Sequence, residues 1–348
     1  MQRGWQSVGC LATLLLCACV GYRTPLDDLD KNGRDAALPC HPGGSALIHA
    51  EPTVMFVLDR SASMNTTMTS TRGSPTRWQA IAAALGNVLP AVDNAMAVGA
   101  LFFPTPSGGN RNCTVANAPD LLPAVGNVDA LIRLMGASAT SGATPTAAAI
   151  DLAANALTAL RTATAARALV LATDGAPNCN SSLDALTCRC TSGTGGRVCA
   201  SSVECLDDTR TDQAIARHAA QGLPTYVIGI QSQGDTQFVD VLNAMAVAGG
   251  RPRVGADVSY YAASSDVELD AAFTTIRDQV GACTFLAASV PDPNGSIVIN
   301  LDGLDLTPDQ WAWVNVSNGE LVLTGDACLA AAAERAPTLT AVVQCNDG

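Results

Sequence analysis

The sequence predicts an α/β fold: a doubly wound, mostly parallel sheet flanked by helices, followed by a small C-terminal β-rich module. Three observations predict it. Thr53-Val54-Met55-Phe56-Val57-Leu58 is a continuous apolar run, the pattern of a strand buried on both faces. Runs of that kind then alternate with stretches of helical periodicity as far as Val280, and strands separated by helices pair in parallel. After Cys283 the texture changes to short strand-like segments with turn signals between them. With 348 residues, 48% of them hydrophobic, the chain has ample material for a large core and is no disordered polymer.

In chain order, residues 1–18 read as a signal peptide, with Arg3 ahead of the apolar centre Leu11-Ala12-Thr13-Leu14-Leu15-Leu16. That centre is short for a membrane span. Residues 19–50 read as a tether, because Pro25, Gly33, Pro39, Pro42, Gly43 and Gly44 are turn formers. The main domain is expected over 51–282. After its first strand, Trp78, Ile81, Leu85, Val88 and Val92 recur at helical spacing. Strands follow at Ala97 to Phe103 and Leu121 to Val125, and helices around Val128 to Met135 and Ile150 to Leu160. Ala168 to Thr173 is the fourth strand, and a Cys-rich insertion occupies 179–205. A helix at Asp212 to Gln221, a strand at Thr225 to Ile230, a helix at Phe238 to Ala248, a short strand near Ser259 to Ala262 and a helix from Leu269 to Val280 complete the domain. In the module over 283–348, strands are expected at Ser296 to Leu301, Trp311 to Val316, Leu321 to Thr324 and Leu339 to Val343. Asn318-Gly319 marks a hairpin, and a short Ala-rich helix is expected near Leu329 to Arg335.

Charge narrows the function classes. Asp+Glu number 31 against 19 Lys+Arg, a formal net charge of −12, and Lys31 is the single lysine. With no basic cluster and only 4% aromatic residues, neither phosphate binding nor base stacking has a platform, so nucleic acid is excluded as a partner. Leu16-Cys17-Ala18-Cys19 resembles a bacterial lipobox with Cys19 as the lipidated residue; the alternative is plain cleavage after Ala18. Either way the remainder lies outside the cytoplasm. Cys10 and Cys17 leave with the signal and Cys19 takes lipid. Ten cysteines remain: Cys40, Cys113, Cys179, Cys188, Cys190, Cys199, Cys205, Cys283, Cys328 and Cys345. An even set in an exported chain reads as five disulfides. A zinc cluster is disfavoured, since Cys188-Arg189-Cys190 is C-x-C and no histidine is near it in sequence.

The chemistry sits in three pieces. The first strand ends in Asp59-Arg60-Ser61-Ala62-Ser63, a carboxylate and two hydroxyls on one turn. Ser141-Gly142-Ala143-Thr144-Pro145-Thr146 opens a helix, and Thr173-Asp174-Gly175 closes the fourth strand. Hard oxygens of this kind suit Mg²⁺. Taken singly, the serines read as helix caps and Asp174-Gly175 as a turn.

Together, in this order and on loops at one edge of the sheet, they resemble the von Willebrand factor type A domain and its metal-ion-dependent adhesion site, over roughly residues 51–282. The stretches Pro224 to Ile230 and Leu242 to Gly250 extend the resemblance to secreted bacterial proteins of this family. It implies that Ser61 and Ser63 bind Mg²⁺, or another divalent cation such as Mn²⁺, directly. Asp59 and Asp174 then sit close by, often through water, and Thr144 engages or releases with the state of the site. Thr146 is the rival for that last role. The open coordination position takes an acidic residue of a protein partner. The family topology further implies a Cys40–Cys283 bridge at the base and Cys113 joined to one insertion cysteine on the metal face, leaving Cys328 and Cys345 to staple the C-terminal module. The expectation is an exported, lipid-anchored envelope protein, outer-membrane or secreted, that binds and does not catalyse. A structural envelope component with a vestigial metal site is the runner-up. A metal-dependent enzyme ranks third, since no Gly-rich phosphate loop with a lysine and no Ser/His/Asp set is evident.

Overall fold

The computed structural model describes residues 43–49, 52–71, 73–106, 109, 111–160, 166–191, 198–231, 237–253, 255–280, 284–287, 296–315, 319–333 and 337–345. The expected signal peptide, Cys19, the tether as far as residue 42, Cys40 and Cys283 lie outside the described residues.

In chain order the first half runs β1 (Gly43–His49), β2 (Thr53–Asp59), α1 (Arg77–Val88), β3 (Ala97–Phe103), β4 (Leu121–Ala124), α2 (Val128–Gly136), α3 (Thr146–Ala159) and β5 (Arg167–Thr173). The second half runs α4 (Asp208–Ala220), β6 (Thr225–Ile230), α5 (Val239–Ala248), β7 (Tyr261–Ala263), α6 (Asp266–Val280), β8 (Thr284–Ala287), β9 (Ser296–Leu301), β10 (Leu304–Asp305), β11 (Trp311–Asn315), β12 (Glu320–Leu323), α7 (Gly325–Ala333) and β13 (Leu339–Gln344).

Six strands form the first sheet in the order β4-β3-β2-β5-β6-β7. Every pair is parallel except β3 with β4. All seven residues of β2 are buried, as its unbroken apolar run requires. Alternate side chains feed two cores. Phe56, Leu58, Phe102 and Val170 face Trp78, Ile81, Leu85 and Phe273 of α1 and α6. Met55, Val57, Leu101 and Leu171 face Ile150, Leu157, Ile215 and Met245 of α3, α4 and α5. Trp78 meets Phe102 edge-to-face at 5.2 Å, and its indole N–H donates to the Met135 carbonyl at 3.0 Å, so a large ring is buried without an unpaired donor. The chain winds from β2 to β3 and β4 on one side, then to β5, β6 and β7 on the other. The reversal therefore falls between β2 and β5, whose carboxyl ends are level: Leu58 pairs with Ala172. A crevice at such a reversal is where open α/β sheets place ligands.

The second sheet corrects the domain boundaries. It has seven strands in the order β10-β9-β13-β1-β8-β12-β11, all antiparallel. Residues 43–49, read from sequence as the end of the tether, form its central strand β1, between β13 and β8. The paired glycines Gly43 and Gly44 suggest a linker. The strand exists because neighbours on both sides complete its hydrogen bonds, although Leu47 alone of the segment is buried. The C-terminal module is thus assembled from both ends of the chain and is not confined to 283–348. Its apolar side chains Phe285, Ile299, Leu321, Leu323 and Leu339 belong to the same continuous core as Phe273 and Ile276 of α6. That shared core supplies burial that so small a module lacks alone.

Smaller departures concern element ends. α4 starts at Asp208 rather than Asp212, and α7 covers Gly325–Ala333 rather than Leu329 to Arg335. The hairpin β11–β12 forms as the Asn-Gly pair suggests, with Gly319 at φ +70°, where a left-handed backbone favours glycine. Among the described residues no helix is long and apolar enough to cross a membrane.

Candidate metal centre

Asp59 is the last residue of β2 and is fully buried. Its Oδ1 accepts the Ser61 backbone N–H at 2.8 Å, and its Oδ2 accepts the Thr173 hydroxyl at 2.6 Å. Both oxygens are thereby aimed by residues at the ends of the two strands flanking the topological reversal. Ser61 Oγ lies 3.0 Å from Ser63 Oγ, and Ser63 Oγ donates to Asp174 Oδ1 at 2.8 Å. Asp174 Oδ2 accepts from Arg77 Nη1 at 2.6 Å, with the two side chains only 1% and 10% exposed.

Backbone hydrogen bonds lock the loops to each other. Ser141 N donates to Arg60 O at 2.9 Å, and Ala62 N donates to Gly142 O at 3.1 Å, so the threonine loop is laced to the serine turn. Gly142 has φ +94°, and a Cβ there would stand 2.5 Å from Pro104 Cγ, so only glycine fits the crossing. Asn178 completes the frame. Its Oδ1 accepts Thr144 N at 2.7 Å while its own N–H donates to Thr144 O at 2.9 Å.

Asp59, Ser61, Ser63, Thr144 and Asp174 thus converge on one end of the sheet, and all but Asp59 line a single cleft of about 420 Å³. Thr146 is separated from them. It is the first residue of α3, is buried, and turns its hydroxyl onto Thr144 O at 3.4 Å. Nor do the serines cap α1. Ser61 makes no side-chain cap bond, and Thr76 with Gln79 forms the capping box of that helix.

The electrostatics favour a cation. Burial first, and the nearby Asp174 carboxylate second, raise the Asp59 pKa to about 7. Asp174 is also raised, chiefly by burial, although Arg77 and Ser63 pull it back. Arg77 compensates Asp174; Asp59 has hydrogen bonds but no cationic partner among the described residues. An all-oxygen set of two carboxylates and three hydroxyls, with one charge left uncompensated, fits a hard divalent ion and not a thiophilic one.

The cleft walls come from elements the sequence did not single out for this purpose. Thr191, Val203 and Glu204 of the insertion form one side; Arg111, Gln237 and Phe238 form others. Arg111 reaches Glu204 across the rim at 3.0 Å. The Cys113–Cys179 disulfide ties the loop after β3 to the start of the insertion, which Cys188–Cys205 and Cys190–Cys199 then fold upon itself. Cys188, Cys199 and Cys205 bring their sulfurs together, but each is in a disulfide and offers no thiolate to a metal. Cys328 and Cys345 are disulfide-bonded as well. His218 is buried against Asp151, at 2.8 Å, on the α3–α4 side and takes no part in the cleft. Thr173 and Asn178 were legible in principle as polar residues flanking the Asp174 turn. Arg77, Arg111 and Glu204 carry no such local signal.

Residues 54–176 match the von Willebrand factor type A domain family. A search of curated proteins returns no match. Among solved structures, a pilus adhesin, SpaC, from Lactobacillus rhamnosus GG is similar at 13% identity over 84% of this chain and 39% of that one, with a TM-score of 0.46. The PilB minor pilin from Streptococcus sanguinis is similar at 14% identity over 67% of this chain and 61% of that one, with a TM-score of 0.47. The vWF domain of the type V pili tip protein Mfa5 from Porphyromonas gingivalis is similar at 12% identity over 67% of this chain and 96% of that one, with a TM-score of 0.43. The chain therefore spans about two fifths of the adhesin and three fifths of the minor pilin.

Proposed function

We propose that this chain, which carries a von Willebrand factor type A domain, is an exported binding protein that holds an acidic residue of a protein partner through a divalent ion. The ion is Mg²⁺, with Mn²⁺ as a substitute, held by Asp59, Ser61, Ser63, Thr144 and Asp174. Lipid on Cys19 anchors the protein to the cell envelope. The observation that supports this most is the buried Asp59, without a cationic partner among the described residues, linked through Ser61 and Ser63 to the second carboxylate, Asp174, at an open cleft. When bound, the ion supplies an electrophilic position for a carboxylate of the partner. Hydroxyls and carboxylates set back from the ion leave more of its charge for the incoming anion than direct carboxylate ligands do. The rest is positioning. Thr173 and Ser61 N–H fix Asp59, Asn178 fixes the Thr144 backbone, and the insertion walls one side of the approach.

Calorimetric titration of the full chain with MgCl₂ and MnCl₂ at millimolar levels tests the reading. Binding to the wild type and its loss in Asp174→Ala are expected; silence in the wild type refutes it. The runner-up, a structural envelope component with a vestigial site, draws support from the Arg77–Asp174 ion pair, in which a protein cation already neutralises one of the two carboxylates. It predicts that silence.

A further inference from the structure

We propose that Arg77 is a built-in counter-cation of the metal centre: it weakens the hold on the divalent ion and leaves the loaded site positively charged toward an anionic partner. This rests on the proposed metal reading for the identity of the ion, but its central test compares variants and does not need the wild type to bind.

Arg77 is not a surface arginine that happens to touch an acid. It is the first residue of α1, its side chain is 10% exposed, and it lines the same cleft as Ser61, Ser63 and Thr144. Its backbone N–H donates to Thr66 O at 2.9 Å, and the adjoining Thr76 is tied into a bridge with Thr67, so the arm carrying the guanidinium belongs to the same loop as the serines. Asp174, 97 residues away, has its side chain 1% exposed and divides its two oxygens: Oδ1 takes the Ser63 hydroxyl and Oδ2 takes Arg77. With Oδ2 committed to the guanidinium, Asp174 has only Oδ1 to turn toward the serine hydroxyls and cannot present both oxygens to an ion.

The charges give the consequence. Fully ionised, Asp59 and Asp174 contribute −2 and Arg77 contributes +1, leaving −1. A divalent ion brings the set to +1. Without the guanidinium the same set runs from −2 to 0. Arg77 therefore disfavours entry of the ion and favours arrival of a carboxylate afterwards. These charges sit in a largely buried cluster, where solvent screens them less than at the surface. A buried pair of this kind responds to loss of one member far more than an exposed one does.

The experiment uses the full chain and four proteins: wild type, Arg77→Gln, Arg77→Met and Arg77→Lys. Each is titrated with MnCl₂ by calorimetry, after a melting curve establishes that it folds. Acetate is then titrated into the Mn²⁺-treated protein, and water-proton relaxation reports its binding. Arg77→Gln or Arg77→Met, whichever folds, is expected to bind Mn²⁺ at least about tenfold more tightly than wild type, and acetate several-fold more weakly. Arg77→Lys, which keeps the charge, is expected to stay near wild type on both counts. Mn²⁺ binding by the neutral variants alone would support the inference while refuting the proposed function of the native site. Equal or weaker Mn²⁺ binding by folded neutral variants, or silence in all four proteins, overturns it.

Discussion

In the six-stranded sheet every pair but β3–β4 is parallel, and the two strands that carry the site, β2 and β5, are adjacent and end level with each other. In the seven-stranded sheet β9–β10 and β11–β12 are local hairpins, but the centre is not: β1 pairs with β13, joining Gly43 to Val343, and with β8, joining Leu47 to Ala287. The first arrangement collects reactive oxygens at one edge. The second closes the chain upon itself and presents one face to solvent, with Ile48 and Val342 exposed there, while Leu47 and Leu339 face the core. Chemistry and frame are thus divided between a mostly parallel sheet of crossovers and an antiparallel sheet closed by long returns. They remain one folding unit because α6 serves both, packing on the first sheet and sharing a core with the second.

The largest expected effect breaks that union. Leu47→Asp places a charge in the shared core at the centre of the second sheet and is expected to cost about 3–5 kcal/mol. A scanning-calorimetry trace of the wild type should show a single transition, shifted as a whole in the variant. Two separated transitions, with the upper one unmoved by Leu47→Asp, would mean that the sheets fold independently.

Next comes the staple beside the site. Removing Cys113–Cys179 with a Cys113→Ser/Cys179→Ser pair frees a 66-residue loop and is expected to lower stability by about 2–4 kcal/mol. Because Thr144 remains tied to Asn178, divalent-ion affinity should fall only a few-fold. Complete loss of ion binding in a folded double variant would show that the insertion builds the centre rather than walling it.

An effect of comparable size is read by pH. Asp59 releases its proton near 3.8 in the unfolded chain but holds it to about 7 in the fold. Between those values the native state carries the extra proton. Stability of the ion-free protein therefore falls as pH rises through this window, by at most about 1.4 kcal/mol per pH unit from this group. Below it the contribution is fully present. Melting temperatures without divalent ions are expected to drop from pH 5 to pH 8, and added Mg²⁺ should restore more at pH 8 than at pH 5. A flat profile would place the Asp59 charge elsewhere.

The smallest concerns the rim. Arg111 and Glu204 are joined across the cleft mouth, with side chains 66% and 21% exposed. Glu204→Gln is expected to change stability by less than about 1 kcal/mol and to leave ion affinity unaltered. A larger loss, read from urea unfolding, would make the rim part of the frame.

The same division explains what was legible in the sequence. The run Thr53 to Leu58, the D-x-S-x-S turn and Thr173-Asp174-Gly175 are local patterns whose meaning depends on neighbours a few residues away. They yielded the fold of the first sheet and the five oxygen-bearing residues that the structure gathers at one end. β1 escaped because Gly43 and Gly44 look like linker, and the partners that make the segment a strand lie hundreds of residues onward. Arg77 escaped for a related reason. Nothing around it is acidic in sequence, and its partner Asp174 is met only through the fold. Between Thr144 and Thr146 the sequence reading favoured Thr144 and kept Thr146 as the rival; in the structure Thr144 lines the cleft and Thr146 lies in the first turn of α3 with its hydroxyl on Thr144 O.

The central position of β1 also has a mechanical reading. The strand is bonded on both sides, to β13 over Gly43 to Leu47 and to β8 over Leu47 to His49, and it leads almost directly into β2, whose far end is Asp59. Tension applied to the chain ahead of Gly43 and resisted at the Asp59 end of β2 would run along β1 and β2 in series. Pulled along its axis, β1 would load both flanking ladders in shear, so its hydrogen bonds share the force rather than opening one at a time from an end.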